Sequence, residues 1–191
     1  MKDEVGRPLS SLILHPSSLI LLPTTHYPLP TVFHPFTPHV RIESVTELSP
    51  ARLRELGLDA LLLDVDCTLK RYRAGEVTPE VAAWLEALRA AGVGLCLVSN
   101  GRGPRIGRFA ATLDLPFVSG ALKPLPFGCR RAVRQQGFDR ARTAIVGDQI
   151  FADIVAGRLA GLRTILVRPI HPEEEPWFTR LKRPLERMLG R

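Results

Sequence analysis

The residues Ala60-Leu61-Leu62-Leu63 run without a charge straight into Asp64-Val65-Asp66-Cys67-Thr68-Leu69. Successive apolar side chains with no polar alternation read as a strand covered on both faces, as in a parallel sheet. Ionised carboxylates are too costly for the middle of such a strand. Asp64 and Asp66 therefore belong at its C-terminal end, where open α/β sheets bind ligands. An Asp-x-Asp pair at a strand exit sets two carboxylates close together. One can attack while the other moves a proton, or both can hold a divalent cation. The spacing alone also fits a polar turn, so the weight falls on the rest of the chain.

Residues 1–31 carry Pro8, Pro16, Pro23, Pro28 and Pro30 and read as an extension, disordered or arising from a misassigned start, ahead of a domain over 32–191. The His15-Pro16 break argues against a signal peptide. Residues 31–50 read as extended chain along the domain surface, leading into a short helix from Pro50 to Leu56 capped by Ser49. Thr78-Pro79-Glu80 is a helix start, and Val81, Trp84, Leu85 and Leu88 share one face of that helix. Val93–Val98 reads as a strand ending at Ser99-Asn100, and Leu115–Val118 as another, leading into the loop that carries Lys123. Thr143–Val146 ends at Gly147-Asp148, a helix runs from about Ile150 to Gly161, and Thr164–Val167 is the last strand. Trp177–Leu189 closes the chain with apolar residues at helical spacing. Strands alternating with helices of this length predict a three-layer α/β domain with a parallel sheet of about five strands.

The excess of positive charge, +7 over 191 residues, is mostly arginine. It points to an anionic partner: a phosphate ester, an anionic lipid surface or RNA. Cys67, Cys96 and Cys129 form no CxxC pair, which argues against a zinc site or a disulfide framework and suits the cytoplasm. No apolar run reaches the length of a membrane span, so any membrane contact is expected to be peripheral.

In a parallel sheet the strand exits share one edge, so Asp64/Asp66, Ser99/Asn100, Lys123 and Asp148 with Asp153 should converge there. Carboxylates gathered at one edge repel unless a cation neutralises them, and oxygen donors beside a phosphate favour Mg²⁺. Ser99 offers a hydroxyl and Lys123 a point charge, which suits a phosphoryl group.

These clusters resemble, in order and spacing, the four motifs of the haloacid dehalogenase (HAD) superfamily of phosphatases: Asp64-Val65-Asp66-Cys67-Thr68-Leu69, Ser99-Asn100, Lys123-Pro124 and Gly147-Asp148-Gln149-x-x-x-Asp153. Phe33-His34-Pro35, Val167-Arg168-Pro169-Ile170 and the closing Thr179–Arg187 stretch are similar to the small IIIA subfamily, its YqeG-like branch, related to mitochondrial phosphatidylglycerophosphate phosphatases. The resemblance implies a Rossmann-like HAD domain with Asp64 as the nucleophile that carries an aspartyl-phosphate. It implies Asp66 as the acid and base, with Ser99, Asn100 and Lys123 on the phosphoryl oxygens. It places Mg²⁺ on the Asp64 carboxylate, the Asp66 backbone carbonyl and Asp148, with Asp153 supporting them. Cys67 stands where the family usually has Asn, which removes a polar side chain beside the nucleophile.

About nine residues separate Leu69 from the next helix, and about 22 separate Asn100 from Lys123. Neither linker holds a sizeable cap, so the site should be open and admit bulky substrates. A phosphorylated lipid headgroup, phosphatidylglycerophosphate, is the preferred expectation, with the basic, apolar tail Trp177–Arg191 meeting an anionic membrane. Two other readings stand beside it. A phospho-receiver domain shares the doubly wound sheet, but the Asp66-x-Thr68 and Asp148-x₄-Asp153 pairs argue against it. A HAD-fold basic protein, weak in catalysis, could bind RNA or a ribonucleoprotein assembly.

Overall fold

Ala60–Leu63 forms a strand (β2) whose residues are all buried. It pairs parallel with Gly94–Val98 (β3) on one side and Thr143–Gly147 (β5) on the other. In this computed structural model residues 35–72, 74–174 and 184 are described. The extension expected over 1–31 and the tail expected over Trp177–Leu189 lie outside the described residues, apart from Pro184.

Val40–Ile42 (β1), Phe117–Val118 (β4) and Arg163–Val167 (β6) complete a six-stranded sheet in the order β1-β6-β5-β2-β3-β4, with every pairing parallel. The sheet thus has one strand more than the sequence predicts. β1 falls inside the stretch read as surface chain. Its three residues are too few to show a period, and pairing with β6, Val40 opposite Ile165, makes the strand. The chain winds outward from β2 to β3 and β4, then returns to β5 on the other side. The order therefore reverses between β2 and β5, where doubly wound sheets open a crevice at the carboxyl ends.

Helices cover both faces: Pro50–Glu55 (α1), Pro79–Ala90 (α2), Gly103–Thr112 (α3), Phe127–Gln136 (α4) and Val155–Ala160 (α5). Leu61, Leu63, Leu95, Leu97 and Val146 bury against Leu53, Trp84, Leu88 and Phe109, whereas Leu62, Cys96, Val98 and Ile145 bury against Cys129, Ala132 and Ala156. This alternation is the period of two that a strand imposes. The caps read from sequence are present: the Ser49 and Thr78 hydroxyls accept from the backbone amides of Arg52 and Val81. Cys96 is packing, its thiol pushed up to about 12 by burial. The expected helix from Ile150 begins instead as a π-helical turn, Ile150–Ile154, before α5. Such turns are frequent at functional sites. Among the described residues no helix is long and apolar enough to cross a membrane.

Candidate active site

Asp64 leaves the end of β2 with its amide still donating to the Val146 carbonyl at 2.9 Å, so the ladder holds the residue rigidly at the crevice. Asp148 comes directly after β5, and Asp153 projects from the π-helical turn. The carboxylate oxygens of Asp64, Asp148 and Asp153 lie within 4.8 Å of one another, and all three residues are buried. Gly147 makes this approach feasible: a Cβ there would sit 2.2 Å from Asp153 Cγ.

The Lys123 ammonium enters the cluster from the loop after β4. It donates to Asp64 Oδ1 at 2.5 Å, Asp153 Oδ1 at 2.6 Å and the Val98 carbonyl at 3.0 Å, so each N–H has an acceptor. Thr68 Oγ1 lies 3.0 Å from Asp148 Oδ1 and 3.4 Å from Asp64 Oδ2. Its single proton can serve only one of them at a time, and the distances favour Asp148.

Burial pushes the Asp64 carboxyl up to about 6, with Lys123 pulling it down and Asp153 pushing it further up. Burial likewise raises Asp153, against the pull of Lys123. Burial disfavours the Lys123 charge, but Asp153 and Asp64 outweigh it and hold the amine well above its ordinary range. Three buried carboxylates are thus set against one ammonium. An all-oxygen cluster with surplus negative charge fits a hard divalent cation.

Asp66 faces elsewhere. Its Oδ1 accepts from Lys70 Nζ at 2.8 Å, and the Arg105 guanidinium spans both oxygens at 3.0 and 2.6 Å. Burial acts to raise its pKa, yet the hydrogen bonds from Arg105 and Lys70 prevail and hold it below the ordinary carboxylate range. Asn100, expected on the phosphoryl oxygens, is bonded to the Lys123 backbone. Its Oδ1 accepts from the Lys123 amide and its Nδ2 donates to the Lys123 carbonyl, both at 2.8 Å. Each end of the side chain thus bonds the backbone of Lys123 and locks it in place, with a second Nδ2 proton left to donate. Ser99 Oγ accepts from the Gly101 amide at 3.0 Å, which leaves its own proton to donate. Cys67 sits in the left-handed region at φ 63°, where Asn is enriched among non-glycine residues. Its carbonyl accepts from the Ile170 amide at 2.8 Å, tying the segment after β6 to the site loop.

Thr68, Lys70 and Arg105 line the site although the sequence reading assigned them no role. The Asp66–Lys70 spacing of four was a weak signal; the Arg105 contact, 39 positions away, had none.

The family described as haloacid dehalogenase-like hydrolase matches residues 31–161. A Bacillus subtilis protein named "Probable phosphatase YqeG" is 29% identical over 154 residues, covering 81% of this chain and 89% of that protein. The chloroplastic phosphatidylglycerophosphate phosphatase 1 of Chlamydomonas reinhardtii is 27% identical, over 78% of this chain and 59% of its own length. The phosphoserine phosphatase of Thermus thermophilus is 31% identical, over 74% of this chain and 60% of its own. The chain thus spans about three fifths of the last two proteins.

Proposed function

This chain belongs to the haloacid dehalogenase-like hydrolases and is a phosphatase, and from that membership we propose that it acts through Asp64 on the phosphomonoester of an anionic phospholipid, phosphatidylglycerophosphate. Asp64 attacks phosphorus and the ester P–O bond breaks; Asp66, once substrate displaces the Arg105 fork that holds it ionised in the free protein, takes up a proton and gives it to the leaving alcohol. Asp66 then takes a proton from water, which attacks the aspartyl-phosphate and restores the Asp64 carboxylate while inorganic phosphate departs. Lys123 and the Ser99 hydroxyl hold the phosphoryl oxygens. Asn100 keeps Lys123 in position. Asp64, the Asp66 backbone carbonyl and Asp148 would hold Mg²⁺, with Asp153 supporting them. The ion would offset charge on the phosphoryl oxygens and on the carboxylates.

The observation that carries the lipid assignment is the crest around Lys123. Leu122, Leu125 and Phe127 are 62%, 47% and 59% exposed, while Lys123 between them is 7% exposed. Leu122 also holds a left-handed backbone at φ 58°, an unfavourable conformation for a residue left largely exposed. Exposed apolar residues gathered beside a reacting centre mark an interaction surface. The first turns of α3 and α4 carry no acid. Exposed Arg105 and Arg131 lie near those ends instead, Arg131 donating to the Ser119 carbonyl in the loop that leads to Leu122, and they add charge to helix termini that are already partly positive. An apolar crest with a basic rim suits an anionic bilayer. A soluble amino-acid phosphate has no use for the crest. The relative named for phosphatidylglycerophosphate supports the same choice.

The test compares phosphate release from phosphatidylglycerophosphate in phosphatidylglycerol vesicles with release from phosphoserine and p-nitrophenyl phosphate, each with Mg²⁺ and with EDTA. The lipid should be preferred, and EDTA should stop turnover. Hydrolysis of the soluble esters with the lipid untouched would overturn the lipid assignment.

A further inference from the structure

We propose that Arg105 is a specificity-determining residue: its guanidinium, closed on Asp66 in the free protein, receives a second anionic group carried by the leaving group of the substrate. The proposal rests on the reading that Asp64 and Asp66 flank the reacting phosphorus.

Asp66 holds two cations, one buried and one exposed. Lys70 is buried, bonded to Asp66 at 2.8 Å and to the Arg71 carbonyl at 3.3 Å, and lies 5.4 Å from the centre of the Phe109 ring. That ammonium is fixed in place and stays paired with the carboxylate when Arg105 turns away. The Arg105 guanidinium is the exposed and movable one of the two. Its side chain is 46% exposed, and among the described residues its hydrogen bonds go to Asp66. It springs from the first turn of α3, near the rim of the crevice. Its path to Asp66 crosses Gly101, where a Cβ would fall 2.5 Å from Arg105 Nη2. The absence of a side chain at position 101 leaves room for the guanidinium to reach the carboxylate.

The fork covers both oxygens of Asp66, the group that a leaving alcohol must approach. A productive complex therefore requires Arg105 to release at least one of them. A guanidinium that gives up a bidentate carboxylate is best compensated by another oxyanion of similar geometry, a phosphodiester, phosphate or carboxylate. A neutral leaving group offers no such exchange. The favoured substrates are therefore phosphomonoesters with a second anionic group a few bonds beyond the scissile oxygen. A glycerol bridge between two phosphates meets that description.

The experiment uses a matched soluble pair, so that membrane docking plays no part: glycerol 1,3-bisphosphate against glycerol 3-phosphate, with Mg²⁺ and the full chain. The expected wild-type ratio of kcat/KM is about tenfold or more in favour of the bisphosphate, since a charge-assisted bidentate contact is among the stronger single contacts. R105A should bring the ratio to within about twofold, and R105K, which keeps the charge but loses the fork, should leave it intermediate. A purely structural Arg105 would depress both substrates together and leave the ratio intact. That outcome, or a wild-type ratio near one with phosphatidylglycerophosphate still hydrolysed, overturns the proposal and spares the lipid assignment. Failure of the wild type on all three compounds overturns the reading of the reacting centre, and this proposal with it.

Discussion

Lys123→Met removes the one ammonium from the buried cluster while keeping an unbranched side chain in its slot. The Lys123 side chain is 2% exposed, and its loss strips a donor from Asp64 Oδ1, Asp153 Oδ1 and the Val98 carbonyl together. Removing one partner of a buried ion pair costs about 3–5 kcal/mol, because the other partner is left buried and uncompensated. In a domain of this size each kcal/mol moves the melting temperature by about 2–4 °C. The expected fall is therefore roughly 6–20 °C in metal-free protein. Its pH dependence has a definite sign. Asp64 is already raised to about 6 and Asp153 is raised by burial, and both go higher without Lys123. A carboxyl that binds its proton more tightly folded than unfolded contributes stability below the unfolded pKa. That contribution is lost as pH rises through the folded value. The deficit of the variant should thus be smallest near pH 5 and largest at pH 8, and Mg²⁺ should restore part of it at pH 8. Thermal unfolding monitored by circular dichroism across that range, with and without Mg²⁺, is the assay. A fall below about 2 °C at pH 8, or an equal fall at both pH values, would refute the reasoning, since surface changes away from such features stay this small.

Asp64→Asn is near-isosteric and cannot attack phosphorus, so kcat should fall by more than about a thousandfold with the circular dichroism spectrum unchanged; near wild-type turnover would exclude Asp64 as the nucleophile. Asn100→Ala removes both hydrogen bonds that hold the Lys123 backbone. It should lower stability by about 1–3 kcal/mol and reduce kcat, whereas a direct phosphate ligand would show a raised KM with no loss of melting temperature. Asp148→Ala should raise the Mg²⁺ concentration needed for half-maximal activity by at least about tenfold, as titration of phosphate release against Mg²⁺ would show. Because Asp64 must be ionised to attack and stands at about 6 in the free protein, kcat/KM should fall as pH drops through that region. Higher Mg²⁺ should shift the fall to lower pH, and a midpoint indifferent to Mg²⁺ would contradict the placement of the ion on Asp64.

The sequence alone determined the alternation of strands and helices, and with it the edge at which the site forms. The all-apolar run before Asp64 reads as a doubly covered strand, and Ser49 and Thr78 announce their helices because a cap acts within a few residues of itself. Parallel pairing then obliges Asp64, Lys123, Asp148 and Asp153 to meet, as the described structure has them. The role each side chain takes on arriving depends on which neighbours stand within about 3 Å, and residue type does not encode that. Asn100 has the chemistry to bind phosphate, and the loop after β4 also brings the Lys123 backbone against it, a positioning role that residue type does not announce. Asp66 has the chemistry to face the cluster, yet Lys70 and Arg105 turn it aside, and Arg105 comes from another element altogether. The edge strand β1 shows the same limit at the level of the fold. Val40–Ile42 carries no pattern of its own and is a strand because β6 presents unpaired backbone groups beside it. Periodicity and capping are local and survive in the linear chain, whereas hydrogen-bond partners are chosen among groups that only the folded chain brings together.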